Sequence, residues 1–177
     1  MNVALSLATL AAVALALGFA GRMGFGALRG GRSRASGVLG LALALSAGLE
    51  ALDLLCVLFP EEMPLWRSAG LVVEGAMCPA WVWFTALFAR DYEDGRLPAL
   101  QRGLIAGASL MLPWGAYLAA TGAYFAPDFS TEMLLFLLPG SFYFYIAFAL
   151  CCVAALFNIE ATLSAAVHFR RWKIKFV

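Results

Sequence analysis

Charge is scarce in this chain. Only 13% of its 177 residues are Asp, Glu, Lys or Arg, against about 25% in soluble domains, while 63% are apolar and the mean hydropathy is +0.86. So few charges could not cover so much apolar surface in water, which excludes a soluble globule and makes lipid the solvent. A net charge of +1 offers no case for a nucleic-acid partner. The single histidine, His168, sits beside Arg170 outside the apolar runs and reads as a solvated side chain rather than a ligand or phosphoacceptor. Cys56, Cys78, Cys151 and Cys152 all fall inside apolar runs, with no C-x-x-C pair. Neither a disulfide framework nor a zinc site is expected, and all four read as small apolar fillers. Walker, H-E-x-x-H and G-x-S-x-G motifs are missing as well, so no catalytic residue, metal or cofactor is assigned to these residues.

What is abundant is long apolar sequence. A helix crossing the roughly 30 Å hydrocarbon core needs about 20 mostly apolar residues, and five runs meet that need: 3–20, 36–59, 68–89, 103–124 and 133–157. Spanning strands are excluded, because an open sheet in lipid leaves edge groups unpaired and the runs lack period-2 alternation. The expected fold is an all-α integral membrane bundle of five helices over 1–157, followed by a juxtamembrane connector, 158–177. The connections are polar or broken by Gly and Pro: 21–35, 60–67, 90–102 and the short turn 126–132.

Basic residues sort across these connections. Arg22, Arg29, Arg32 and Arg34 lie in the first, Arg90, Arg96 and Arg102 in the third, and Arg170, Arg171, Lys173 and Lys175 after the fifth run; only Arg67 falls on the other side. The positive-inside rule then places the amino terminus outside and the carboxyl terminus in the cytoplasm. The first run is read as an uncleaved helix, since no Lys or Arg precedes it and the positive charge follows it, the reverse of a secretory signal.

The tail is unusual. Arg170–Lys175 resembles an inner-face anchor with Trp172 at headgroup level, and Ile174, Phe176 and Val177 read as the first turn of another apolar run. At least one further helix is therefore expected beyond Val177; a five-helix protein ending in a short basic tail is the alternative. Within 158–169, Ile159, Leu163, Ala166 and Val167 recur at helical spacing, as a short amphipathic interface helix or as an extension of the fifth span.

Three carboxylates interrupt the spans: Glu50 and Asp53 on the second, Glu74 on the third. A central acid costs roughly 2.5–3.5 kcal/mol to insert, so each should face protein or water. Asp53 and Glu74 each lie six residues from the outer end of their run, about 9 Å deep at 1.5 Å per residue, with Glu50 one turn deeper on the face of Asp53. Arg67, Glu74, Trp81 and Phe88 repeat every seventh residue along one side of the third helix. Arg67 is expected to lean towards Glu74. Glu50, Asp53, Glu74, Trp81 and Arg67 then mark either an outward polar pocket or cation pathway, or acids hydrogen-bonded to Ser46, Tyr or Trp that hold the bundle together. The lack of a Lys, Arg or His deep in the membrane as counter-charge weakens a proton relay. Pro79, Pro113 and Pro139 predict kinks, Gly103 and Gly107 a close helix contact, and the aromatic run 142–145 packing.

The stretch Asn158-Ile-Glu-Ala-Thr-Leu, followed by Arg171-Trp-Lys-Ile-Lys-Phe176, resembles the inner-face connector of the membrane region of PEP-CTERM-system (exosortase-associated) sensor histidine kinases, where an N-x-E-x-T-L…R-W-x-I-K-F pattern runs into the next helix. Glu74 with Trp81-Val-Trp-Phe84 is similar to that family's acidic-then-aromatic helix. The resemblance implies the sensory input region of a two-component kinase in the bacterial inner membrane, working as a homodimer. It further implies ATP and Mg²⁺ in a kinase core, and a response regulator as partner, both beyond these residues. Asn158, Glu160, Arg171, Trp172, Lys173 and Lys175 would be its relay and anchor. A small cation or proton transporter, or a ligand-free membrane scaffold, are the alternatives.

The charge pattern makes a topological prediction. With the native cysteines replaced, Ser33→Cys and Arg170→Cys should react with a membrane-impermeant maleimide from one face and Glu62→Cys from the other; labelling of positions 33 and 170 from opposite faces would refute the arrangement.

Overall fold

The computed structural model describes residues 11, 13–15, 17–22, 34–88, 97–128 and 134–174, and leaves aside the side chains of 125–128, 134–136 and 165–174. Most of the first run, Arg29, Arg32, Arg90, Arg96 and Lys175 lie outside the described residues, as does most of the 126–132 turn.

Helices dominate. A short apolar helix α1 (Val13–Arg22) precedes α2 (Arg34–Leu58) and α3 (Met63–Leu87), which are joined by a single 3₁₀ turn at Pro60–Glu62. Next come α4 (Ala99–Ser109) and α5 (Met111–Thr121), the strands β1 (Phe125–Asp128) and β2 (Leu134–Leu137), and α6 (Pro139–Ile174). Among the described residues four helical stretches are long and apolar enough to cross a bilayer: α2, the 3₁₀ turn with α3, α4 with α5, and α6. The protein is a multi-pass helical membrane protein by length and composition.

The turn at Pro60 and the start of α4 mark opposite ends of the bundle, called here the Pro60 end and the Gln101 end. Helix α3 is the hub, with 56% of its apolar window buried, whereas α2, α4–α5 and α6 bury only 17–22% of theirs. The outward faces of those three carry Leu41, Leu110, Tyr117, Leu150, Val153, Leu156 and Phe157, which lipid accepts at no cost. Inside, Leu71, Cys78 and Val82 of α3 pack with Met111 and Leu118 of α5 and with Phe144 and Ala155 of α6.

What lets α3 and α5 approach is a pair of glycines. A Cβ on Gly75 would lie 2.6 Å from the Met111 carbonyl oxygen, and one on Gly115 would lie 2.5 Å from that of Leu71. Residues 71 and 75 thus face 115 and 111 in an antiparallel crossing, each glycine seated on the other helix's backbone. Gly103 and Gly107, the expected contact pair, have open space around them; the close approach belongs to Gly75 and Gly115 instead. A four-residue spacing within one helix misses it because the notch is built from one glycine on each helix.

The prolines act differently from one another. Proline lacks an N–H and its ring crowds the carbonyl four residues back. For Pro113 that carbonyl belongs to Ser109, where α4 ends; the Leu110 N–H donates to Gly107 O at 3.1 Å before Trp114 N–H resumes the ladder to Leu110 O. The expected fourth span is therefore two helices in series. Pro79 sits inside an uninterrupted α3. Pro139 opens α6 rather than kinking it, in the first helical turn where no N–H donor is required.

The expectation of helix from residue 133 is corrected: Leu134–Leu137 pairs antiparallel with Phe125–Asp128, Phe125 opposite Leu137 and Asp128 opposite Leu134. Leu138 N–H then bonds Tyr124 O and closes the hairpin onto the bundle. A hairpin this short does not span, so the exclusion of spanning strands is untouched. At the other boundary, α6 runs without a break through 157 and 158, so the extension reading of 158–169 describes the backbone and a separate interface helix does not.

The glycine notch carries its own prediction. Gly75→Ala and Gly115→Ala should each lower stability by about 1–3 kcal/mol through overpacking, with Gly103→Ala and Gly107→Ala close to neutral, read as thermal unfolding in detergent.

Candidate functional site

Polar side chains gather in two places. At the Pro60 end, Arg67 Nη1 donates to Asp53 Oδ1 at 2.8 Å, bridging α3 to α2. Arg67 was expected to lean on Glu74, with no basic counter-charge within the spans. The structure instead places Arg67 inside the apolar stretch that begins at Pro60 and pairs it with Asp53. Glu74 and Tyr145 of α6 lie within electrostatic range of this pair, so the four residues are treated as one group.

Glu74 is the deep member, 8% exposed. Its carboxylate and the Tyr145 hydroxyl are close enough to interact, yet neither Glu74 Oε2 nor Tyr145 Oη closes a hydrogen bond of good geometry. A buried polar atom left in that condition costs about 1–3 kcal/mol. Glu50 lies exposed on α2, one turn from Asp53. Beside the cluster, Tyr124 Oη and Ser68 Oγ lie 2.6 Å apart and both reach the Pro64 carbonyl at 2.7 Å, tying the hairpin to the start of α3.

Trp81 belongs elsewhere. Its Nε1 donates to Ser46 Oγ at 3.2 Å, two turns from Glu74, and it lines a groove of about 380 Å³ that none of the acids touches. The acids form a packed cluster, not the lining of that cavity.

The second polar cluster is at the Gln101 end and was not foreseen as a unit. Gln101 Nε2 donates to Asn158 Oδ1 at 2.9 Å, Asn158 Nδ2 returns a bond to Gln101 Oε1 at 3.3 Å, and it also reaches Thr85 Oγ1 at 3.4 Å. All three side chains are buried, so α3, α4 and α6 are clamped by reciprocal amides. Thr162 Oγ1 bonds the Asn158 carbonyl one turn on. Among the expected relay residues Asn158 is thus a buried clamp and Glu160 an exposed position, while Arg171, Trp172 and Lys173 lie on the last turns of α6.

Tyr145, Gln101 and Thr85 were the residues missed. Tyr145 hid in an aromatic run whose Phe144 is core and whose Phe142 and Tyr143 face outward. Gln101 and Thr85 are single polar residues near span ends, a position that polar side chains occupy whether or not they pair.

Compared with known proteins, the chain matches no family model, no curated protein and no solved structure.

A double-mutant cycle tests the clamp. Asn158→Leu and Gln101→Leu should each cost about 1–2 kcal/mol, since each strands the other amide in an apolar setting, and the double variant should lose clearly less than their sum. Additive losses would mean the two amides do not act together.

Proposed function

We propose that this chain is the membrane-embedded input module of a signalling protein, with the Asp53–Arg67–Glu74–Tyr145 group as its trigger and α6 as its output element. The observation that carries the reading is α6 itself. It holds Tyr145 against Glu74 near one end of the bundle, Asn158 in the amide clamp about 20 Å further on, and continues as helix to Ile174. A change at the trigger therefore has a rigid path to the far side of the clamp.

The bonding of the trigger depends on the charges of its two acids. Arg67 bonds Asp53 and interacts with Glu74, so a cation, proton or polar ligand that changes the charge at either acid changes what Tyr145 faces. Such a stimulus moves an equilibrium only if it binds two helix arrangements with different affinity. In this reading the Pro60 end faces outwards and the basic Arg170–Lys175 segment faces the cytoplasm of a bacterium, in keeping with the sorting of Arg and Lys. The resemblance of the Asn158–Phe176 stretch to exosortase-associated sensor kinases makes a histidine kinase the output, as a homodimer with a response regulator downstream. Transport of a proton or cation is the second reading, favoured by the buried Glu74 oxygen without a hydrogen-bond partner.

Three measurements test the proposal. Spin labels at positions 41 and 163, exposed on α2 and α6, should report a shifted distance distribution for Glu74→Gln and Tyr145→Phe relative to the parent. An unchanged distribution would disconnect the trigger from α6, and proton or cation flux into liposomes lost in Glu74→Gln would favour transport. Reading the gene beyond the Val177 codon should reveal a histidine-kinase core; any other continuation removes the kinase assignment.

A further inference from the structure

The groove that holds Trp81 carries a different chemistry. Its floor is α3, through Met77, Cys78, Trp81 and Thr85, and its walls are Ser46 of α2 and Phe148, Cys151 and Cys152 of α6. Cys78 and Cys151 both line this groove, and Cys151 of α6 packs against the buried cluster that contains Cys78 of α3. All the cysteines here are free thiols. Of the four cysteines expected to be apolar filler, Cys78, Cys151 and Cys152 line a cavity.

We propose that Cys78 and Cys151 are a redox-active dithiol, oxidised to a disulfide by a lipid-soluble quinone that enters this groove. The setting selects that oxidant class. The lining is apolar apart from Ser46 and Thr85, so the groove excludes charged or strongly hydrated oxidants. Its volume of about 380 Å³ is within the range that holds a small organic ring, and the Trp81 and Phe148 rings flank the space. On the α6 side its edge is formed by Cys152, Leu156 and their neighbours on an outward-facing surface, so the entrance opens towards lipid. Ser46 supplies a donor: its one proton, shared between Ala42 O at 3.0 Å and Met77 Sδ at 3.3 Å, can exchange that bond for one to a quinone carbonyl while Oγ still accepts from Trp81 Nε1.

The step balances. Two S–H bonds break and one S–S bond forms between Cys78 and Cys151; the two electrons and two protons released reduce one quinone to its quinol. The bond would lock α3 to α6 between the Glu74–Tyr145 contact and the Asn158 clamp. This chemistry stands apart from the signalling proposal, and either can fail without the other.

The test uses the full chain in detergent under nitrogen, with a fully substituted, short-tailed benzoquinone that cannot add to thiols. Expected are one quinol formed per chain, two maleimide-reactive thiols lost, and a Cys78–Cys151 bridge found by peptide mass mapping. Cys78→Ser and Cys151→Ser should abolish quinol formation, while Cys56→Ser, on α2 and away from the groove lining, leaves it intact. A bridge that closes with diamide but not with the quinone overturns the assigned oxidant. No bridge with either reagent in a chain that keeps its helical circular dichroism, or quinol formation persisting in Cys78→Ser, overturns the dithiol itself.

Discussion

Lipid removes the force that holds a soluble core together. An apolar side chain gains little by leaving lipid for another helix, so a membrane bundle depends on close packing and on polar groups with nowhere else to bond. This chain uses both, and both converge on α3. The Gly75–Gly115 notch lets its backbone rest on that of α5. Arg67 ties it to Asp53 of α2, Ser68 to Tyr124 ahead of the hairpin, and Thr85 to Asn158 of α6. The other helices touch mainly through it. That is why α3 alone is mostly buried while its neighbours present leucine and aromatic side chains to the bilayer.

Polar bonding is distributed unevenly along that hub, and the unevenness separates stable from adjustable parts. At the Gln101 end the two amides satisfy each other reciprocally, with Thr85 as a further partner of Asn158. At the Pro60 end the Arg67 guanidinium bonds Asp53, while one oxygen of Glu74 and the Tyr145 hydroxyl close no hydrogen bond. A fully satisfied buried network rigidifies, whereas a partly satisfied one keeps competing arrangements close in energy. One end of α6 is therefore held by a closed set of bonds and the other carries open ones.

The helical membrane class was legible because it follows from length and hydropathy, which need no tertiary information. Chain breaks were legible only in part: Pro60 and the 90–102 connection announce themselves, but the division at Leu110 depends on which carbonyl Pro113 crowds, and the strand Leu134–Leu137 is written in residues as apolar as any helix here. For the site, the acids stood out because charge in an apolar run is conspicuous. Their partners did not. Arg67 pairs with Asp53, fourteen positions away on another helix, rather than with Glu74 on its own stripe, because the turn at Pro60–Glu62 folds α2 back against α3. Helical spacing orders residues along one helix and says nothing of the rotation between two. The same blindness hid Gln101 with Asn158, fifty-seven positions apart, and Cys78 with Cys151.

Seven-residue spacing did align Glu74 with Trp81, yet two turns along a helix is enough to change the chemistry completely. Glu74 meets Tyr145 at the polar level of α6; Trp81 meets Ser46 and a groove bounded by Phe148 and the thiols of the same helix. Both sites are built from α3 as floor and α6 as wall, so any rotation or shift of α6 alters them together. A disulfide between α3 and α6 would restrict any shift of α6 at the level of Glu74 and Tyr145. The two sites are chemically independent and mechanically coupled, because a bundle organised around a single central helix has no way to move one wall of that helix twice.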